Sequence, residues 1–233
     1  WLCIKFMNSD DFIDKLRSLG LPVFSVETAS NILGKPHTYA ALYLQRLLKA
    51  GKIERIERNK YYLPDADIYT IASRIVPYSY ISMYAALEHY ALTTQVPKGI
   101  EVISPKYHKA LRLKNHDVWF YKTKKSFIYG YVTMANGPVY AEPEKIFIDD
   151  LYIHGRLYFS EELEHAIKAK KVDVEKMCTY AIRSGRRSIA SLLGHYLEQF
   201  GANADRLLPY RSKSYIRLAP GGRLDSKWHV YWR

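Results

Sequence analysis

Cysteine is scarce. The 233 residues hold two, Cys3 and Cys178, far apart in the chain. That excludes a disulfide framework and a cysteine-based metal motif, and it suits a reducing cytosol. The eight histidines are scattered, with none at the i, i+4 spacing of a helical metal pair and none beside a cysteine. No uninterrupted apolar run approaches 18 residues, so no transmembrane helix is expected. Gly-rich phosphate loops and nucleophile elbows are missing as well. Asn and Gln are few, six and three, which fits a thermophilic source. These absences lead to an expectation of a cytoplasmic protein with no membrane partner, no metal, no cofactor and no catalytic residues. The start, WLCIKFMNSDDF, has no cleavage-site pattern and makes a poor signal peptide. Met7 reads as a natural start, and residues 1–6 as an extension or disordered lead-in.

What is abundant is positive charge and tyrosine. Lys and Arg outnumber Asp and Glu by 35 to 23, for a net charge of +12 and a pI near 9.5. Such a balance permits a polyanionic partner without proving one. The 21 tyrosines suit cores and nucleic-acid surfaces alike. The charge is uneven: residues 171–233 carry 12 basic and 5 acidic side chains, against 10 and 7 in residues 1–66.

The first 66 residues have a clear order. NSDDFIDKLRSLG places acids ahead of Phe12, Ile13 and Leu16, a helix whose acidic first turn faces the positive end of its dipole. LPVFS reads as a short extended piece. Ser25 then caps a second helix, VETASNIL, closed by Gly34. Pro36 opens a third, in which Ala40, Tyr43, Leu44, Leu47 and Leu48 form one buried stripe. After Gly51, KIERIERNKYYL reads as two strands about a turn at Arg58-Asn59. Helix, strand, helix, turn, helix, hairpin is the order of a winged helix-turn-helix, with the third helix as groove reader and the hairpin as wing.

A composition change around residues 64–77 marks a boundary. The fold class expected is therefore α+β: a winged helix-turn-helix over residues 1–66, a linker over 67–78, and a mixed α/β domain over 79–233. In that second part SYISMYAALEHYAL reads as helical, while GIEVIS, HDVWFYK, SFIYGYVTM and PVYA read as strands, with a turn at Asn136-Gly137. Four helices follow, starting at Pro143, Ser160 (read as a cap), Asp173 and Arg186-Arg187, and a hairpin is expected around Gly221-Gly222.

On the third helix the face away from the core carries Thr38, Tyr39, Ala41, Leu42, Gln45, Arg46 and Lys49, with Lys35 and His37 at its start. Arg pairs with guanine edges, Gln with adenine, and Lys or Tyr with phosphate oxygens. Leu42 suits a thymine methyl or a neighbouring subunit. The wing tip, with Arg58, Asn59 and Lys60, suits a phosphate or minor-groove contact. The bland alternatives are a winged helix used only for protein contact and an ordinary polar turn.

Catalytic constellations are weak. Asp149 and Asp150 are neighbours, so on a helix they point about 100° apart. With Glu142 and Glu144, they are explained by capping and solubility. Glu101 near Lys106 is loosely nuclease-like, but the upstream aspartate is missing. The cations Arg183, Arg186, Arg187, Arg211 and Lys213, with Arg217, Arg223 and Lys227, could track a DNA backbone or hold an acidic or RNA-associated partner. They could equally be a solvated basic surface.

Three stretches carry a family resemblance: SYISMYAALEHYALTTQVPKGIEVISPK (79–106), VYAEPEKIFIDDLYI (139–153), and the ending SIASLLGHYLEQFG, SYIRLAPGG, KWHVYW. In order and spacing they resemble the AbiEi antitoxin family of type IV toxin–antitoxin systems. The shared patterns fall on Ser82 to Leu87, Ala141 to Lys145 and Trp228, with Ile146 and Phe147 standing where the family has Ala-Leu.

The resemblance implies a winged helix that represses its own operon by binding inverted repeats of double-stranded DNA. It implies a C-terminal domain that opposes a nucleotidyltransferase-like toxin without forming a stable complex. It places Lys35, His37, Thr38, Tyr39, Arg46, Arg58 and Lys60 on DNA, in a protein expected as a monomer or weak dimer. Ala141, Pro143, Glu144 and Lys145 look structural. Two alternatives stay open. One is a stand-alone winged-helix regulator whose second domain senses a ligand or mediates dimerisation. The other is a nucleic-acid-processing enzyme that uses Glu101 or Asp149.

Overall fold

The computed structural model describes residues 7–135 and 137–232. The extension expected over residues 1–6 and the Asn136 half of the Asn136-Gly137 turn lie outside the described residues.

Local signals set the first helices. In α1 (Ser9–Ser18) Asn8 Oδ1 accepts the N–H groups of Asp10 and Asp11, both at 2.9 Å, and Phe12, Ile13 and Leu16 are buried. The short strand β1 (Val23–Phe24) leads to α2 (Val26–Leu33). There the Ser25 hydroxyl accepts the Thr28 N–H at 3.1 Å and the Thr28 hydroxyl accepts the Ser25 N–H at 3.3 Å, a reciprocal cap. Helix α3 (His37–Lys49) buries Ala40, Leu44 and Leu47. The hairpin β2 (Glu54–Glu57) and β3 (Lys60–Tyr62) turns through Asn59 at φ +63°. β1 pairs with β3, giving the strand order β1-β3-β2. This is the winged helix-turn-helix that the residue pattern leads to. Phe12, Leu16, Ala40, Leu44 and Ile53 form its core without exposure. Each large side chain so buried contributes about 1.5–3 kcal/mol.

Alternation along β3 divides its residues between two cores. Tyr61 packs with the helical core, Tyr62 is buried in the core of the second body, and Leu63 returns to the first. Val23 and Ile56 of the same sheet also pack against the second core.

The stretch expected as a linker over 67–78 is instead largely helical. Asp67 caps α4 (Ile68–Arg74), whose Ile71 and Ala72 lie in the second core without exposure. The apolar face of IYTIASR has the sheet beneath it, and burial makes a free linker untenable. A second correction falls on the next segment. Tyr80–Ser82 is not the start of a helix but a strand, β4, paired antiparallel to β5 (Ile100–Ser104) and parallel to β9 (Val139–Ala141). Helix α5 begins only at Met83 and runs to His89.

The remaining strands complete a mixed sheet. β6 (Leu111–Leu113) and β7 (His116–Lys122) form a tight hairpin whose turn residues Lys114 and Asn115 both have positive φ, +46° and +67°. β8 (Tyr131–Thr133) follows a 3-10 turn at Lys125–Phe127, so SFIYGYVTM is strand only at its end. Among the described residues the sheet order is β6-β7-β5-β4-β9-β8.

Against the sheet and beyond it lie α6 (Pro143–His154), α7 (Ser160–Lys168), α8 (Val174–Arg183) and α9 (Arg187–Gln199), with α6 packed on α5, α8 and α9. Phe159, not Ser160, occupies the cap position of α7. The tail also departs from expectation. β10 (Ile216–Arg217) runs parallel to β12 (Val230–Trp232), and β11 (Arg223–Asp225) pairs with β12 instead of β10. Gly221-Gly222 is thus a crossing and not the tip of a hairpin. A Cβ on Gly222 would sit 2.4 Å from the Trp232 carbonyl oxygen, so this glycine serves close approach to β12.

Candidate nucleic-acid interface

Helix α3 is positioned by the turn before it. Gly34 closes α2 in the left-handed region at φ +61° with nothing near its Cβ position, so backbone conformation and not space calls for glycine. The Ser30 hydroxyl donates to the Lys35 carbonyl at 2.6 Å, and the Lys35 N–H returns to the Ser30 carbonyl at 3.2 Å. Pro36 then sets the entry angle.

Along the helix, His37, Thr38, Tyr39, Leu42, Gln45, Arg46 and Lys49 are exposed, opposite the buried Ala40, Leu44 and Leu47. Leu42 is 58% exposed on this same face. Tyr39 stacks on Tyr43 at a centroid distance of 6.4 Å, which fixes its ring beside the N-terminal turn. Lys35 is half-buried at the turn.

Ion pairing sorts the cations of the winged helix. On the α1 side Lys52 holds Asp10 at 2.7 Å, and Arg17 holds Asp65 at 2.8 Å and Asp14 at 3.1 Å. At the hairpin Lys60 holds Glu57 at 2.8 Å. Among the described residues Arg46, Lys49, Arg55 and Arg58 enter no ion pair, and all four are exposed. Arg55, on β2, joins this group without any motif in the sequence to mark it.

The wing tip divides. Asn59 Oδ1 accepts the Val26 N–H at 2.9 Å, pinning the hairpin to the start of α2. Lys60 is half-buried beside Glu57, which also meets Nε2 of His108 from the second body at 3.3 Å. Of the three tip residues expected on DNA, Arg58 alone extends without such an internal role.

The C-terminal cations are mostly used as pins. Arg186 donates to the Tyr152 carbonyl at 3.1 Å with its guanidinium 3.6 Å above the Tyr152 ring. Arg187 donates to the Arg211 carbonyl at 3.0 Å, and Arg211 to the Lys227 carbonyl. Arg183 stacks on Tyr129 at 4.3 Å. Lys227 is paired with Glu198 and Asp205, whereas Lys213, Arg217 and Arg223 are exposed.

The acids of α6 correct the solubility expectation, because Glu144, Asp149 and Asp150 are buried. Asp149 pairs with the buried Lys145 one turn away and accepts from the hydroxyls of Ser82 at 2.8 Å and Tyr80 at 3.2 Å. Burial pushes the Lys145 ammonium down and the Asp149 carboxyl up, while their mutual attraction opposes both shifts. Asp150 accepts the N–H groups of Tyr158 at 2.7 Å and Phe159 at 3.1 Å, holding the loop into α7. Glu144 accepts the Asp173 N–H at 2.9 Å. Each of these three acids thus holds part of the fold together.

A winged helix-turn-helix with an exposed third helix and cations without acidic partners is the arrangement that DNA-binding regulators use. Comparison narrows this. Residues 11–64, the stretch that forms the winged helix, match the family described as "Transcriptional regulator, AbiEi antitoxin". The whole fold is similar to the crystal structure of the RV2827C protein from Mycobacterium tuberculosis, with a TM-score of 0.56 over 94% of this chain and 88% of that one. At 14% identity that is a likeness of fold. No curated protein matches the chain in sequence. Among the described residues no helix is long and apolar enough to cross a membrane, and no group of three or more His, Cys, Asp or Glu is placed to hold a metal ion.

Proposed function

We propose that the protein is a transcriptional repressor and antitoxin of a type IV toxin–antitoxin system, working in the cytoplasm without catalysis of its own. It binds an inverted-repeat operator before its own operon, one copy per half-site, and opposes a nucleotidyltransferase-like toxin without a stable complex. The observation that carries the DNA-binding part is the exposed α3 face: Gln45, Arg46 and Lys49 project from the helix, the two cations having no acidic partner among the described residues. The family match over residues 11–64 falls on the same winged helix and supports the regulator part, and the family's description names an antitoxin.

Binding of the full chain to the DNA upstream of its gene, at two salt concentrations and against a scrambled duplex, tests this. Arg46→Ala and Gln45→Ala are expected to remove about 1–3 kcal/mol of discrimination each, as the loss of a base-edge contact does. Arg58→Ala is expected to lower affinity for every duplex and to reduce the salt slope by about 1. Equal binding of scrambled and upstream DNA by the wild type overturns the repressor reading. Co-expression with any nucleotidyltransferase-like protein encoded beside its gene tests the antitoxin role, which Arg46→Ala should leave intact.

A stand-alone regulator is the second reading. The contact between Glu57 of the wing and His108 of the second body favours it, because that body can then bear directly on the wing.

A further inference from the structure

Beside the N-terminal end of β5 lies a cavity of about 320 Å³ lined by Tyr84, Val96, Lys98, Glu101 and Trp119, with Gln95 at its edge. Glu101 and Trp119 are register partners on the parallel strands β5 and β7, so their side chains stand next to one another on one face of the sheet. Trp119 lies so close over Gly99 that a Cβ there would be 2.5 Å from its ring. The glycine therefore lets the indole wall the cavity.

The Glu101 carboxylate is poorly compensated. It accepts two long hydrogen bonds, from the Tyr84 N–H and the Tyr121 hydroxyl, both at 3.4 Å, and among the described residues it has no ion pair. Burial accordingly raises its pKa. Glu162 and Asp150 add negative charge around Tyr84, the latter tied to His154 at 2.7 Å. A ring-walled cavity with a weakly partnered carboxylate at its wall and its one lysine, Lys98, on an exposed residue stands out in a protein of net charge +12. A half-buried carboxylate with weak partners beside two aromatic rings is the environment that favours an organic cation, by charge pairing and by cation–π attraction.

We propose that this cavity binds a small organic cation, an alkyl- or arylammonium group set against Glu101 with its apolar part on Tyr84, Val96 and Trp119. The site is separate from the DNA-reading helix. It is nonetheless connected to the wing: β5 runs from Glu101 to Ser104, and the loop after it brings His108 to Glu57.

The test is calorimetric titration of the full chain with benzylammonium chloride, with tryptophan fluorescence recorded in parallel. Benzyl alcohol and benzoate, at matched ionic strength, serve as the neutral and anionic counterparts. Benzylammonium is expected to saturate with a Kd of about 1 mM or tighter, while the other two do not saturate in that range. Glu101→Gln is expected to weaken the cation at least about tenfold. Lys98→Glu, at the exposed rim, removes a competing cation and should tighten it several-fold, an arm that does not depend on how the Glu101 variant folds. Trp119→Phe should abolish the fluorescence change. The proposal is overturned if benzyl alcohol binds as well as benzylammonium, if Glu101→Gln and Lys98→Glu leave affinity unchanged, or if the cation never saturates. No arm involves DNA, so the outcome is independent of the repressor reading.

Discussion

Nε2 of His108 lies 3.3 Å from Oε1 of Glu57, the same oxygen that accepts the Lys60 ammonium at 2.8 Å. A residue of the second body thus shares a wing carboxylate with the wing's own lysine. Nearby, Lys114 donates to the carbonyls of Pro64 at 2.6 Å and Ala66 at 2.8 Å, and Arg74 donates to those of Gly20 at 3.3 Å and Gly137 at 2.9 Å. The winged helix is fastened to the second body along its sheet, away from the exposed residues of α3.

This arrangement has a pH consequence. Burial alone would raise the Glu57 carboxyl, but hydrogen bonds from Lys60 and His108 outweigh it and hold the group below its ordinary value of 4.5. A carboxyl depressed in the folded state contributes stability that is present above its unfolded value and is lost as pH falls through the folded one. Melting temperature should therefore fall on acidification between about pH 5 and pH 3, and less steeply in Glu57→Gln. An unchanged slope in the variant would mean that other carboxylates carry the acid response.

The Lys145–Asp149 pair inside α6 should be far more costly to break than to replace. Asp149→Leu or Lys145→Met alone leaves a buried charged group without its partner, which typically destabilises by about 3–5 kcal/mol. The double variant Lys145→Met, Asp149→Leu should regain most of that loss in urea unfolding. Additive losses would show that the two side chains do not act as a pair.

Gly194 of α9 is filled by its neighbour. A Cβ there would lie 2.3 Å from the ring of the fully buried Trp228, whose Nε1 donates to Glu198 at 2.9 Å. Gly194→Ala is expected to destabilise by about 1–3 kcal/mol despite the better helix propensity of alanine, because the ring must move. Trp228 fluorescence should report the displacement, and a gain in stability would contradict the packing described.

At the wing tip the backbone and side-chain roles of Asn59 can be separated. Asn59→Gly keeps the positive φ and loses the bond to Val26, at a cost of about 1 kcal/mol. Asn59→Ala adds about 1–2 kcal/mol for holding an alanine in the left-handed region. Thermal melts of both variants, with amide exchange at Val26, would show whether the tether or the turn matters more.

The winged helix was legible because its signals are local. The Ser25–Thr28 cap, Gly34 after α2, the Ala40–Leu44–Leu47 stripe and the Arg58-Asn59 turn each act within a few residues. The exposed face of α3 followed from the same periodicity. The β6–β7 hairpin was equally local in its Lys114-Asn115 turn, but those residue types are weak turn markers compared with Asn-Gly.

Elsewhere the deciding partner is remote in the chain. YIS became a strand because β5 and β9 flank it on both sides, and apolar residues buried all round show no period that separates strand from helix. The acids of α6 looked like a solvated face because charge on a helix ordinarily marks solvent. Asp149 is instead satisfied by Tyr80 and Ser82 from β4, which only the packing of α6 on the sheet brings near. The C-terminal arginines looked like a basic surface because their acceptors are backbone carbonyls, and which carbonyls come within reach is invisible before folding. The tail strands pair in an order that adjacency in sequence does not suggest. The sequence by itself determined the helices of the winged helix, the Ser25 cap and the exposed face of α3, since those are set by interactions spanning a turn or two. Tertiary structure decided which charges are buried, which cations remain free and where the cavity beside β5 lies, since each depends on groups remote in sequence that meet only in the folded chain.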